Sequence, residues 1–122
     1  SIMSIQIDCH IYIMKRITFT IRITKGNILK HQAQDHIITF IRNQLKGVKI
    51  TKPVNLHYHF YEPNKKRDLD NIASFFMKCC QDSLVLTQVI PNDGWEWITG
   101  FTCDFSVDKD KPRIEVIIES EE

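Results

Sequence analysis

"PVNLHYHFY", residues 53–61, is the stretch on which the fold turns. Val54, Leu56, Tyr58 and Phe60 fall on one side and Asn55, His57, His59 and Tyr61 on the other, which is the period of two that a strand requires. A strand with one apolar face needs a cover, and the sequence supplies one downstream. After the polar run "EPNKKRDLDN", residues Ile72, Ala73, Phe76, Cys79, Cys80 and Leu84 recur at helical spacing and predict a helix from about 71 to 86. Pro91 and Gly94 in "TQVIPNDGW" then punctuate the chain. "WITGFTCDFSV" and "RIEVIIE" alternate as two further strands, expected as a hairpin around "DKDKP". The strand–helix–strand unit over residues 54–105 implies a parallel pair joined by a crossover, provided both strands share a sheet.

Working in the other direction, Gly47 closes a helix expected over residues 28–46, with Leu29, Ala33, Ile37, Phe40, Ile41 and Leu45 as its apolar stripe and Asn27 as its N-cap. Ahead of it, "IQIDCHIYI" and "ITFTIRIT" both alternate, which predicts two half-buried strands turning around Met14, Lys15 and Arg16. The order is strand, strand, helix, strand, helix, strand, strand. That pattern is α+β: a mixed sheet of about four to five strands packed with two helices, as a single domain over residues 1–122.

Composition agrees. A chain of 122 residues, 43% hydrophobic and 25% charged, is long enough for one domain with a substantial core. No apolar run approaches the ~18 residues of a membrane span, and no segment reads as a signal peptide. Cys9, Cys79, Cys80 and Cys103 lack the C-x-x-C spacing of a zinc or redox site, so reduced cysteines in a cytoplasmic protein are expected. The net charge of +1 conceals a segregation: residues 15–67 carry twelve Lys and Arg against two acids, and residues 68–122 carry twelve acids against four cations. A split of this kind points to a polyanionic partner for the basic half.

The chemistry concentrates in "NKKRDLDN", residues 64–71, where Lys65, Lys66 and Arg67 abut Asp68 and Asp70. Magnesium takes oxygen ligands, keeps several waters, and is commonly held by one or two carboxylates plus a substrate phosphate. Asp68 and Asp70 meet that need if the backbone is extended there, so that residues two apart share a face. The alternative is that Asp70 only N-caps the helix. Asp93, between Pro91 and Gly94, is an ordinary turn residue unless it joins the other two, because clustered carboxylates persist mainly where a cation neutralises them. His57 and His59 share a strand face, either as transition-metal ligands or as a half-exposed polar surface. Trp95, Trp97 and Phe101 stack on bases or serve as packing residues. No Gly-rich phosphate loop, G-x-S-x-G or H-E-x-x-H is present.

Taken together, "KKRDLDNIASFFMKCCQDSLVL", "VIPNDGW" and the final "KPRIEVIIE" resemble the RusA family of Holliday junction resolvases, small endonucleases often carried by bacteria and their prophages. The resemblance covers residues 54–119 well and the first half by size and element order. It implies Asp68, Asp70 and Asp93 as magnesium ligands of a catalytic site, with Asn71 and Ser74 in supporting positions. Family members often carry a helix lysine where this chain has Ser74; Lys78, one turn further on, is the substitute. Lys65, Lys66, Arg67, Lys15 and Arg16 would bind the DNA backbone. The implied activity is magnesium-dependent hydrolysis of phosphodiesters in branched DNA, during recombination and repair, by a homodimer whose two-fold symmetry matches a four-way junction.

Two other functions fit the same residues. One is a non-catalytic module that binds branched DNA, and the other a phosphotransferase using D-x-D on a nucleotide. A geometric tension accompanies the first reading. A helix over 71–86 spans roughly 24 Å, and residues 87–92 reach at most about 20 Å. Either that loop doubles back, or Asp93 completes the site of a partner subunit.

Overall fold

The computed structural model describes residues 14–22 and 30–121. Its elements are β1 (Met14–Arg22), α1 (Lys30–Gln44), β2 (Val54–Glu62), α2 (Leu69–Leu86), β3 (Ile98–Val107) and β4 (Arg113–Glu121). The four strands form one mixed sheet in the order β1-β4-β2-β3, with α1 and α2 packed together over one face. This is the α+β architecture expected, with four of the four to five strands falling within the described residues.

β2 behaves as its sequence demands, buried and half-buried residues alternating along its whole length. It pairs in parallel with β3 and antiparallel with β4. Helix α2 is the crossover between β2 and β3. Its Phe76 packs edge-on against Tyr58 and Phe60, with ring centroids 6.0 and 5.6 Å away, and Phe105 of β3 stacks on Phe60 at 5.0 Å. Phe19 and Ile21 of β1, Ile37 and Ile41 of α1, and Ile114, Val116 and Ile118 of β4 complete the buried cluster. Cys80 is fully buried within it, and burial pushes its thiol well above the ordinary range. Cys79, Cys80 and Cys103 are free thiols.

Three expectations need correction. Lys15 and Arg16 are not in a turn: β1 runs through them, antiparallel to β4 from Met14 to Arg22. The strand expected before them and the Asn27 cap lie outside the described residues. Helix α2 begins at Leu69, two residues earlier than its apolar stripe suggests, so its N-cap is Asp68, not Asp70.

The third correction is topological. β3 and β4 do not form a hairpin; they flank β2 on opposite sides. Burial explains the choice, because Ile114, Val116 and Ile118 are sealed from water only in the sheet interior, between β1 and β2. β3 carries Thr99, Gly100, Thr102, Asp104 and Ser106 and suits an edge. The loop from β3 to β4 crosses the end of β2, where Asp108 N–H donates to the Glu62 carbonyl at 2.8 Å. Asp108 also accepts backbone N–H bonds from Asp110 and Lys111 and pairs with Arg113 at 2.8 Å. The Arg113 hydrogen bond, then that from Lys111, holds the Asp108 carboxyl below the usual carboxylate range.

The far end of α2 is closed by a turn that takes a left-handed residue. Gln88 N–H donates to the Val85 carbonyl at 2.9 Å and Val89 N–H to the Leu84 carbonyl at 3.0 Å, with Gln88 at φ 64°. Glycine is the usual occupant of such a position, since a Cβ strains the left-handed backbone. Gln88 is exposed and its side chain makes no hydrogen bond among the described residues. Gln88→Gly should therefore stabilise the fold by about 1 kcal/mol, read as a higher denaturation midpoint with an unchanged slope in urea.

Candidate functional site

The segment between β2 and α2 gathers the basic loop and two acids at one end of the sheet. β2 delivers Glu62 to the buried face, by the same alternation that buries Phe60 two residues earlier. The chain then turns through residues 63–68, where Asn64 Oδ1 accepts the Lys66 N–H at 3.0 Å. That turn aims Arg67 back at the strand end. Arg67 Nε and Nη2 donate to the two Glu62 oxygens at 3.0 and 3.1 Å, a bidentate pair with the acid 4% exposed and its guanidinium partner about half-exposed.

Asp68 caps α2 by position alone. It has extended backbone angles, φ −71° and ψ 129°, and makes no side-chain capping bond. Asp70 lies in the first helical turn. The extended geometry expected of the D-x-D pair thus holds only at Asp68. Both carboxylates are exposed, and neither accepts a side-chain hydrogen bond or ion pair among the described residues. Two anions at the N-terminal end of an 18-residue helix are favoured by the helix dipole. Beside them opens a cleft of about 630 Å³, lined by Glu62, Lys65, Arg67 and Leu69 on one side and by Phe105 and Val107 of β3 on the other.

The remaining expected residues are spread along α2 and β1. Ser74 Oγ donates to the Asp70 backbone carbonyl at 2.8 Å, so its hydroxyl is engaged with its own helix. Asn71 is exposed in the first turn. Lys78 is two turns past Asp70, roughly 12 Å along the axis, and pairs with Asp82 at 3.2 Å. Arg16 lies on the sheet face away from the helices, paired with Glu119 at 2.6 Å. Lys15, its neighbour in β1, is exposed.

Asp93 is at the opposite end of the molecule. Ile50 N–H donates to the Val89 carbonyl, Val54 N–H to the Trp97 carbonyl, and Trp97 and Ile98 N–H to the Gly94 carbonyl. These bonds pin residues 89–98 to the start of β2, whereas Asp68 follows its end. The loop after α2 does not double back. The separation is close to the length of β3, roughly 30 Å for ten residues. Among the described residues, no group of three or more His, Cys, Asp or Glu converges to hold a metal.

The sheet face away from the two helices holds the two histidines. His57 Nδ1 lies 2.8 Å from Thr102 Oγ1 and its Nε2 3.3 Å from Glu119; His59 Nε2 lies 2.7 Å from Ser106 Oγ. His59 stacks on Tyr61 at 4.0 Å, and the Arg113 guanidinium sits 3.7 Å from the Tyr61 ring centroid. Hydrogen bonds from His57 and then Arg16 hold the Glu119 carboxyl below the usual range. Any stability this carboxylate contributes is present at neutral pH and disappears as pH falls through its depressed pKa.

In composition Glu62 counts only as one of two acids in the basic half. Its signal was available: continuing the alternation of β2 by one step puts a carboxylate on the buried face, five residues before an arginine.

No family model and no curated protein matches the chain. Solved structures similar to it include PurLQS from Thermotoga maritima, 8% identical with a TM-score of 0.44, covering 89% of this chain and 18% of that one. A second is the HypE-HypF complex, 11% identical with a TM-score of 0.39, covering 88% of this chain and 32% of that one. The chain thus spans under a third of the length of either. Among the described residues, no helix is long and apolar enough to cross a membrane.

The three cations of the loop should separate on mutation. Arg67→Ala leaves the Glu62 carboxylate buried without its partner and should cost about 1–3 kcal/mol of stability. Lys65→Ala and Lys66→Ala, at exposed positions, should change stability by less than about 0.5 kcal/mol. Chemical denaturation of the three variants checks this ordering.

Proposed function

We propose that this chain is a magnesium-dependent endodeoxyribonuclease of the RusA type that resolves four-way DNA junctions as a homodimer. The observation that supports it most is the pair of exposed carboxylates, Asp68 and Asp70, that no side chain engages among the described residues, at a helix N-terminus directly behind Lys65 and Lys66. An acid at an N-cap usually spends an oxygen on the helix N–H groups; Asp68 does not. Its oxygens and those of Asp70 are therefore available to a hard cation, and the donor set fits magnesium, which needs few protein ligands when phosphate and water complete its shell. When bound, the ion would lower the pKa of a water and offset charge developing on the attacked phosphate.

The chain's own residues do the rest of the work in this reading. Lys65 and Lys66 hold backbone phosphates beside the carboxylates, in contacts that carry no base specificity. Glu62 orients the Arg67 guanidinium through Nε and Nη2, and Nη1, which makes no hydrogen bond among the described residues, can contribute one pre-positioned donor. Asp93 would reach a site only from a second subunit. The distance between the acids also favours a competing reading, a module that binds branched DNA without cutting it.

Cleavage of a synthetic four-way junction beside a linear duplex, with magnesium or EDTA, separates the two. Paired nicks on the junction alone, abolished by EDTA and by Asp70→Asn, are expected; tight junction binding without nicks would favour the module. Lys65→Ala should weaken binding and lower the salt dependence by about one counterion. Co-assembly of an Asp70→Asn chain with an Asp93→Asn chain checks the sharing. A shared site leaves one of two sites intact and restores single-strand nicking, whereas intrachain sites leave none.

A further inference from the structure

The cleft beside the acid pair has a second basic bank. Val107 walls it, and the next residue, Asp108, donates its N–H to the carbonyl of Glu62, which walls it too. The loop that follows is pinned. Asp108 Oδ1 accepts N–H bonds from Asp110 and Lys111 at 3.2 and 3.1 Å, and Arg113 Nη1 donates to the Lys111 carbonyl at 3.0 Å. Lys109 and Lys111 are exposed on this loop and make no ion pair among the described residues. They belong to the acidic half of the sequence, yet the fold sets their loop against the end of β2, from which Lys65 and Lys66 also depart.

Between the two lysine pairs the cleft is apolar. Leu69 is 51% and Val107 49% exposed, and Phe105 lines the cleft with them. Phe105 stacks on Phe60, and no other ring stacks on it among the described residues. The volume of about 630 Å³ lies in the range of sites that enclose a small organic ligand. The charges on the wall largely cancel. Arg67 engages both oxygens of Glu62, and Arg113 and the loop N–H groups engage Asp108. The exposed acids nearby are Asp110, between the two loop lysines, and Asp68 and Asp70, the pair given to magnesium. Lysines on both banks suit phosphates, and an apolar floor with an open ring face suits a flat ring that carries no charge. An unpaired nucleic-acid strand combines the two.

We infer that the cleft seats one unpaired base of a DNA strand, stacked on Phe105 between Leu69 and Val107. The flanking phosphates lie on Lys65 and Lys66 to one side and on Lys109 and Lys111 to the other. Taking a base out of its stack costs least where it is already unpaired, so the seat favours DNA whose pairing is open, as at a branch point. Leu69 stands between Asp68 and Asp70 in the chain, and a seated base therefore holds its own phosphodiester beside the acid pair. The inference rests on the nuclease reading for its substrate and on the cleft, the ring and the four lysines for its place.

Fluorescence anisotropy of a labelled oligodeoxythymidylate, with the full chain in EDTA, tests the seat without cutting. Two probes of equal length accompany it, a blunt duplex and an abasic sugar-phosphate strand. The wild type should bind the thymidylate about tenfold more tightly than the abasic strand, and more tightly than the duplex. Joint Leu69→Ala and Val107→Ala, at half-exposed positions, should bring that tenfold advantage close to parity. Joint Lys109→Ala and Lys111→Ala should weaken binding to both strands and lower the slope of log affinity against log salt by about 0.7 for each lysine. Equal affinity for the thymidylate and abasic strands, or a preference for the duplex, overturns the seat, and this comparison needs no variant to fold. Lysine variants that bind like the wild type overturn the second bank. Junction cleavage is scored separately. A chain that seats a base and never nicks a junction defeats the nuclease reading alone, and one that nicks junctions yet treats the two strands alike defeats the seat alone.

Discussion

The backbone of β2 is paired on both sides, in parallel with β3 and antiparallel with β4, and its Leu56, Tyr58 and Phe60 side chains are withdrawn from water. Each such side chain stabilises the fold by roughly 1.5–3 kcal/mol through burial. The larger effect is positional. The other elements take their places from this strand or from its neighbours: α2 covers it, β3 and β4 flank it, α1 packs against the helix it anchors, and β1 joins through β4. The two ends of β2 position the candidate residues, the basic loop and acid pair after Glu62 and the Asp93 turn beside Val54.

That arrangement divides the cations into two kinds. Arg67, Arg16 and Arg113 are committed to acids within the fold, at Glu62, Glu119 and Asp108. Lys65 and Lys66 stand exposed without an ion pair among the described residues. An arginine fork suits fixed pairing with a carboxylate, and a lysine ammonium on a flexible stem suits a phosphate that arrives and leaves. A basic stretch of sequence is thus not a uniform basic surface; part of its charge is neutralised from within.

Much of this was legible in the sequence, for identifiable reasons. The alternation of residues 54–61 fixed β2 because a one-residue slip would have turned every apolar side chain to solvent. The stripe from Ala73 to Leu84 specified α2, and chain reach alone set Asp93 at odds with Asp68. The hairpin reading of β3 and β4 failed because neighbours in sequence usually pair in space. Here the deciding fact was which strand needed two neighbours, and Ile114, Val116 and Ile118 needed them more than Phe101 or Cys103 did. The Glu62–Arg67 pair is hidden in the sequence because the acid stands next to a polar loop, while its burial follows from the strand that ends with it. The helix start was misplaced because Leu69, exposed, lies outside the apolar stripe.

The position of β4 carries a consequence for how the protein is made. It is the last of the described strands in sequence, yet it lies between β1 and β2 in the sheet. Until residues 113–121 have left the ribosome, β1 has no described strand to join and β2 has a single neighbour, so the helices cover a split sheet. Pairing β1 with β4 closes a loop of some ninety residues, a long-range contact of the kind that slows folding. During that interval, the edges of β1 and β2 that will face β4 lack that strand, and unpaired strand edges of this kind make a folding intermediate prone to aggregate.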